Sequence, residues 1–347
     1  MNKTKVLLVS DCMLTPERMR EEFRGLEKYD LEFSTIADHP NDTEEEFQAR
    51  MLKLEVEGPE AVTPPKGLIE AVEDVDVLIV HFTVVTEAVI KAAKKLKLIA
   101  VLRGGWENVN TKAATENGII VVNSPGRSGD AVADFTVGML IAESKNIVRS
   151  SIAFRKGLWK PEFHNSSYLH NLRGRNVGIV GFGEIGKRVA NRLKGFGVNI
   201  LAYDPFLPKE NILNEGCTPV DLPTLLKESD YITLHLRFTE KTKHIIGKNE
   251  LAMMKPTAYL VNTARSGLVD EKALIEALRN KQIGGAALDV YDTEPLPLDS
   301  PFFELENVTI TPHLAGTSVD TMHNSFVILG EELERYFRNE KLQFVKN

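Results

Sequence analysis

The chain has 347 residues, 43% hydrophobic and 26% charged, and a formal net charge of -7. That length exceeds the usual size of one core and predicts two domains, and the composition is that of a soluble globular protein. An acidic balance with no basic tract excludes a general affinity for nucleic acid or acidic membranes, and two cysteines, Cys12 and Cys217, make neither a disulfide framework nor a metal motif.

The N-terminal MNKTKVLLVSDC has an apolar run cut short by Asp11, which does not fit a signal segment. The most apolar stretches, such as AVADFTVGMLIA (131–142), are too short and interrupted to span a bilayer. A cytoplasmic, metal-independent protein is expected. The first strands are KVLLVSD (5–11), LEFSTIAD (31–38), DVDVLIVHF (74–82), LKLIAVLRGG (96–105) and GIIVVNSPG (118–126), with helices such as VTEAVIKAAK between them. Strands alternating with helices predict a parallel sheet under helical cover. Residues 41–66 are charged and proline-ended, and read as a helix and surface loop added to the first domain. Residues 128–157 form one long helical pattern with Ser128 as its N-cap.

The most informative stretch is RNVGIVGFGEIGKRVANRLKGFGVNILAYDP (175–205). A hydrophobic strand runs into Gly181, Gly183 and Gly186, an amphipathic helix follows, and the next strand ends at Asp204. Glycines in that pattern allow a tight turn, close approach of a pyrophosphate, and close packing of helix on sheet. The pyrophosphate sits on free amides at the helix start. Asp204 suits the ribose hydroxyls and repels a 2′-phosphate, so NAD is favoured over NADP. The bland alternative is that these glycines only make a tight strand–helix turn. Cofactor contacts are expected from Gly181, Gly183, Glu184, Ile185, Gly186, Tyr203, Asp204 and Pro205.

Further strands are SDYITLHL (229–236), TAYLVNTA (257–264), IGGAALDV (283–290) and NVTITPH (307–313). At or just beyond their C-terminal ends, where ligands collect in such sheets, stand His235, Arg265, Asp289 with Glu294, and His313. Arginine's planar fork suits a carboxylate, histidine titrates near working pH, and a carboxylate beside that histidine raises its pKa and sets its tautomer. Each residue read alone is also compatible with a surface ion pair, a solvated loop acid or a loop histidine.

The segments VGIVGFGEIGKRVA, NTARSGLVDEKAL, GGAALDVYDTEPLP and TPHLAG together resemble the D-isomer-specific 2-hydroxyacid dehydrogenases, near their phosphoglycerate dehydrogenase branch. The resemblance is strong from Gly174 to Thr317 and weaker before residue 96. It implies a Rossmann-type NAD-binding domain (124–314) inserted into a flavodoxin-like substrate-binding domain (1–123), with 315–347 returning to the latter. A homodimer, with the helix from residue 128 contributing to its surface, is implied as well. By this resemblance Arg265 holds the substrate carboxylate, His313 exchanges the proton and Glu294 pairs with it. His235, Thr263, Ala264, Arg265, Asp289 and His313 line the cofactor, Asp289 beside the nicotinamide carboxamide. Arg103, Gly104, Gly105 and Trp106 are the candidate substrate contacts. The loop LRGGWENVN departs from the family's small-residue and aspartate pattern at Trp106, Glu107 and Asn110, and Arg237 replaces a usual proline. These departures leave phosphoglycerate-type, glyoxylate or hydroxypyruvate, D-lactate-like and sugar-acid substrates open. The reading from another class is an NAD-sensing corepressor with little or no catalysis.

Overall fold

The computed structural model describes residues 3–347, without the side chains of Glu44, Glu55 and Val56. Met1 and Asn2, the first residues of the expected 1–123 domain, lie outside the described residues. The chain divides into two compact units, Met1–Arg127 with Val319–Asn347, and Ser128–Ser318. The divisions fall slightly beyond residues 123 and 314.

In the first unit, β1 (Thr4–Ser10), β2 (Leu31–Ala37), β3 (Val77–Val80), β4 (Leu98–Val101) and β5 (Ile120–Asn123) form a parallel sheet in the order β2-β1-β3-β4-β5. This is the flavodoxin-like order, whose ligand position is the reversal between β1 and β3. β3 and β4 are buried along their whole length, as continuous Val, Ile and Leu runs require in a sheet covered on both faces. The expected helix in 41–66 spans Glu44–Glu57, started by a capping box between Thr43 and Glu46. Its Phe47, Met51 and Leu54 are buried. The final helix, Val319–Phe337, packs Phe326, Leu329 and Leu333 against this unit's core. The segment after it returns to β5: Val345 bridges Val122, Lys346 N–H donates to Val121 O (2.9 Å), and Asn347 Oδ1 accepts from Val121 N–H (2.9 Å).

In the second unit, β6 (Asn176–Val180), β7 (Asn199–Tyr203), β8 (Thr218–Pro219), β9 (Tyr231–Leu234), β10 (Tyr259–Asn262), β11 (Gly285–Leu288) and β12 (Val308–Ile310) make a parallel sheet ordered β12-β11-β10-β9-β6-β7-β8. The order reverses between β6 and β9, the crevice of a dinucleotide-binding sheet. The two-residue strand β8 was not expected, being too short to leave a hydrophobic pattern.

The single helix expected over 128–157 is two, Gly129–Ser144 and Ile147–Arg155, and Ser128 makes no side-chain cap. The break is at Asn146, whose φ of 61° is left-handed, a conformation asparagine tolerates better than most residues. Its physical reason is Glu143, wholly buried in the first helix. Reversal of the chain brings Arg149 back onto Glu143 Oε1 (2.5 Å), and Thr309 Oγ1 donates to Oε2 (2.6 Å). An unpaired buried carboxylate is costly. Burial still raises the Glu143 pKa, against the pull of Arg149. Among the described residues no helix is long and apolar enough to cross a membrane.

Candidate active site

The glycine turn follows β6 at the reversal of the second sheet. Gly181 has a φ of 97°, and a Cβ there would lie 2.5 Å from the backbone of His235 and Leu236. A Cβ on Gly186 would lie 2.2 Å from Gly181 O. These two glycines bring the first turn of the helix Glu184–Lys194 onto the strand end. Gly183 differs: a Cβ there would meet nothing within 4 Å, so its surface is open to a ligand. Glu184 is turned along the helix to Arg188 (2.7 Å), and Ile185 is half-buried against the core.

Asp204, just beyond β7, is tied to this turn. Its Oδ2 accepts from Phe182 N–H and its Oδ1 from Phe206 N–H, each at 2.8 Å. Every carboxylate oxygen has a second lone pair, which leaves both able to accept from ribose hydroxyls. Tyr203 is half-buried and Pro205 exposed, and Gly181 N–H donates to Tyr203 O (2.8 Å). His235, facing the turn across the reversal, shares a hydrogen bond between Nε2 and Thr233 Oγ1 (2.9 Å), while its buried Nδ1 has no partner. Burial pushes its pKa down to about 3, so the ring is neutral. An orphaned buried nitrogen, an open Gly183 and a ribose-suited acid fit a bound dinucleotide.

Arg265 follows β10. Asn262, buried, clamps the turn that presents it: Nδ2 donates to Arg265 O (2.9 Å) and Oδ1 accepts from Ala264 N–H (3.1 Å). The exposed guanidinium donates to Ala264 O (2.7 Å) and pairs with no carboxylate among the described residues. It is free to take one from solution. Thr263 is turned inward to Thr136 Oγ1 (2.7 Å), which commits its hydroxyl to the core. Asn262 was missed in the sequence, where a buried clamp looks like any strand-end asparagine.

His313 and Glu294 meet. Nδ1 of His313 lies 2.7 Å from Glu294 Oε2, and Glu294 Oε1 accepts from Tyr291 N–H (3.0 Å). The bond to Glu294 raises the His313 pKa. Burial opposes it, the Glu294 charge adds to it, and Arg265 subtracts. Burial works to raise Glu294, but the bonds from His313 and Tyr291 and the charges of His313 and Arg265 bring it below its usual value. Arg265, Glu294 and His313 therefore share one electrostatic environment, with the far nitrogen of His313, Nε2, unpartnered among the described residues.

Asp289 is wholly buried. Oδ1 accepts from Thr311 Oγ1 (2.6 Å) and Leu314 N–H (2.9 Å), and Oδ2 from Ala315 N–H (2.8 Å). Thr311 is held a second time by Tyr291, whose hydroxyl accepts from Thr311 N–H (3.1 Å). Asp289 thus fastens the turn on which His313 stands.

In the first unit, Arg103 lies over the Phe82 ring, 4.3 Å from its centroid, Gly104 O accepts from Asn123 Nδ2 (2.6 Å), and Gly105 sits against the Glu107 side chain. Trp106 is half-buried, with Lys346 Nζ 5.0 Å from its ring centroid.

Residues 137–315 match the family model described as the D-isomer specific 2-hydroxyacid dehydrogenase, NAD binding domain. The chain is 42% identical to a D-3-phosphoglycerate dehydrogenase of Methanocaldococcus jannaschii over 81% of its own length, and spans about half, 53%, of that protein. It is 41% identical to a glyoxylate reductase of Korarchaeum cryptofilum, over 81% of this chain and 85% of that one. The solved structure of a glyoxylate reductase from Paecilomyes thermophila superposes with a TM-score of 0.74 at 27% identity, covering 99% of this chain and 98% of the other. None of these relatives supports a corepressor. The strand-end constellation and the matches agree: the chain belongs to the D-isomer-specific 2-hydroxyacid dehydrogenases, and is an oxidoreductase that uses NAD.

Proposed function

We propose that the protein interconverts a small 2-keto acid and its D-2-hydroxy acid, with 3-phosphohydroxypyruvate, glyoxylate and hydroxypyruvate as the substrate candidates. The observation that carries the roles is the 2.7 Å contact between His313 Nδ1 and Glu294. A carboxylate on Nδ1 fixes the proton there, favours the imidazolium and directs Nε2 as the acid. Arg265 receives the substrate carboxylate in its fork and polarises the adjoining carbonyl. NAD, when bound, supplies or accepts the hydride. The Gly181–Gly186 turn holds the pyrophosphate and Asp204 the adenosine ribose. In reduction, His313 Nε2 gives its proton to the carbonyl oxygen, and in oxidation it takes the hydroxyl proton. Gly104 and Gly105 are assigned to substrate contact on family resemblance, and Arg103 and Trp106 on their place beside those glycines in the same loop. A homodimer acting in the cytoplasm belongs to the same reading.

The test is NADH oxidation over a panel of 2-keto acids with wild-type protein and His313→Ala. Turnover on at least one member is expected, with kcat reduced in the variant by about 10²–10⁴-fold, the usual contribution of a general acid. Wild-type protein that binds NADH but turns over no member of a broad panel would remove the dehydrogenase assignment.

A further inference from the structure

Residues 343–347 follow the final helix and are clamped back onto it. Glu332, wholly buried in that helix, accepts from Gln343 N–H (2.6 Å) and Phe344 N–H (2.8 Å) on Oε1, while its Oε2 accepts from Arg335 Nη1 (2.9 Å). A carboxylate that takes two backbone amides makes charge-assisted bonds, stronger than bonds between neutral groups. Beyond this clamp the segment runs antiparallel to β5 through the Val345–Val122 bridge, and Asn347 Nδ2 donates to Ile119 O (2.7 Å). The backbone of Lys346 is thus fixed on both sides. Its half-buried side chain extends over the indole of Trp106, with Nζ 5.0 Å from the ring centroid.

Trp106 stands at the crest of the loop 103–110, whose shoulders are fastened to the first sheet. Arg103 O accepts from Ser124 N–H (2.9 Å), Gly104 O from Asn123 Nδ2 (2.6 Å), and the buried Asn108 donates from Nδ2 to Thr83 O (2.8 Å). Between the shoulders, Val109 N–H closes a turn onto Trp106 O (3.0 Å). Gly105 brings no side chain to this crest, and the Glu107 side chain lies back against it. Through the indole, however, the crest reaches a segment from the far end of the sequence. An ammonium within about 6 Å of a ring face is attracted by the ring's quadrupole.

We propose that residues 343–347 latch the 103–110 loop, with Lys346 on Trp106 as a positioning residue that sets where the Gly104 and Gly105 backbone meets the keto acid. For the substrate this deepens the dehydrogenase reading and rests on it; the latch itself belongs to the first unit alone. Without the cation the crest moves more freely, and a bound substrate has to order it. Binding is weakened, while the proton exchanged by His313 and the hydride are unaffected.

The test compares full-length wild-type protein with Lys346→Met and Lys346→Arg, and each pair again in a Trp106→Leu background. In the first arm, amide hydrogen exchange is followed without substrate in a peptide covering 103–110. Exchange is expected to quicken by about two- to fivefold in Lys346→Met, the size of one exposed cation–ring contact. Lys346→Arg keeps a cation over the ring and should restore the wild-type rate. In the Trp106→Leu background, Lys346→Met should add nothing further, since the partner is already gone. In the second arm, the KM for the keto acid is expected to rise in Lys346→Met by the same about two- to fivefold with kcat unchanged, the mark of lost binding that ground and transition states share. An unchanged exchange rate in Lys346→Met overturns the latch, and so does an effect that persists without Trp106. Faster exchange with an unmoved KM, or a fall in kcat alone, overturns the positioning role. If wild-type protein turns over no keto acid, the dehydrogenase reading fails and the exchange arm decides the latch by itself.

Discussion

A histidine at φ 54° occupies a conformation that costs an L-residue roughly 1–2 kcal/mol, and at His313 the turn is kept in it by the bonds from Leu314 and Ala315 N–H to Asp289. The left-handed backbone brings Nδ1 to Glu294. This pairing sets the pH range of the reaction. Reduction needs the protonated ring, and Glu294 raises the His313 pKa, so activity in that direction should persist to higher pH than an isolated histidine allows. In Glu294→Gln the ring loses its carboxylate, the His313 pKa falls, and the alkaline limb of the kcat/KM profile for reduction should move to lower pH. A profile that drops in height without moving would show that Glu294 only supports the loop. His313, Glu294 and Arg265 were legible in the sequence because each is a chemically distinctive residue at or beyond a strand end. Asp289 was legible as a position, whereas its part in fastening the His313 turn was not, because its partners there, two of them backbone amides, lie more than twenty residues on. Asn262 was missed for a similar reason, its partners being backbone groups of its own turn.

At the level of elements, the three glycines of the β6 turn do different work, and substitution should separate them. Gly186→Ala sets a methyl 2.2 Å from a backbone oxygen, a distance that only movement of the helix relieves. A loss of stability of about 1–3 kcal/mol, seen as a lower urea midpoint, is expected from overpacking of this kind. Gly183→Ala adds a methyl into open space. Its urea midpoint should stay close to wild type while NADH affinity, measured by fluorescence titration, falls by about tenfold or more, since the methyl occupies the ligand's side. Equal destabilisation by both would mean that Gly183 is structural. The turn was readable in advance because strand, glycines, helix and acid come in one continuous run. The broken helix after residue 128 was not. Its two halves join into one apolar pattern, and the reason for the break, a buried Glu143 that needs Arg149, appears only when Thr309 and the start of β11 pack around it.

For the whole molecule, the insertion of one unit into the other was legible from family resemblance, whereas periodicity showed only alternating strands and helices. The return of the C-terminal helix to the first unit was likewise expected from the resemblance alone. The second unit also exposes an apolar surface on and after the helix Ile147–Arg155: Ile152 is 50% exposed, Phe154 65% and Trp159 83%. Patches of this kind mark association surfaces, in keeping with the proposed dimer. Trp159→Glu should shift the protein from dimer to monomer in light scattering coupled to size exclusion, with the unfolding midpoint of the isolated fold little changed. A wild-type monomer would remove that assignment.

The six residues after Lys341 have a consequence for handling the protein. The last three of them lie along β5 and occupy backbone groups that would otherwise form an open sheet border, a ready template for another chain. Deleting residues 345–347, or any change that pulls them away, would bare that border and invite strand-to-strand aggregation, even though no residue of the constellation around His313 had been touched.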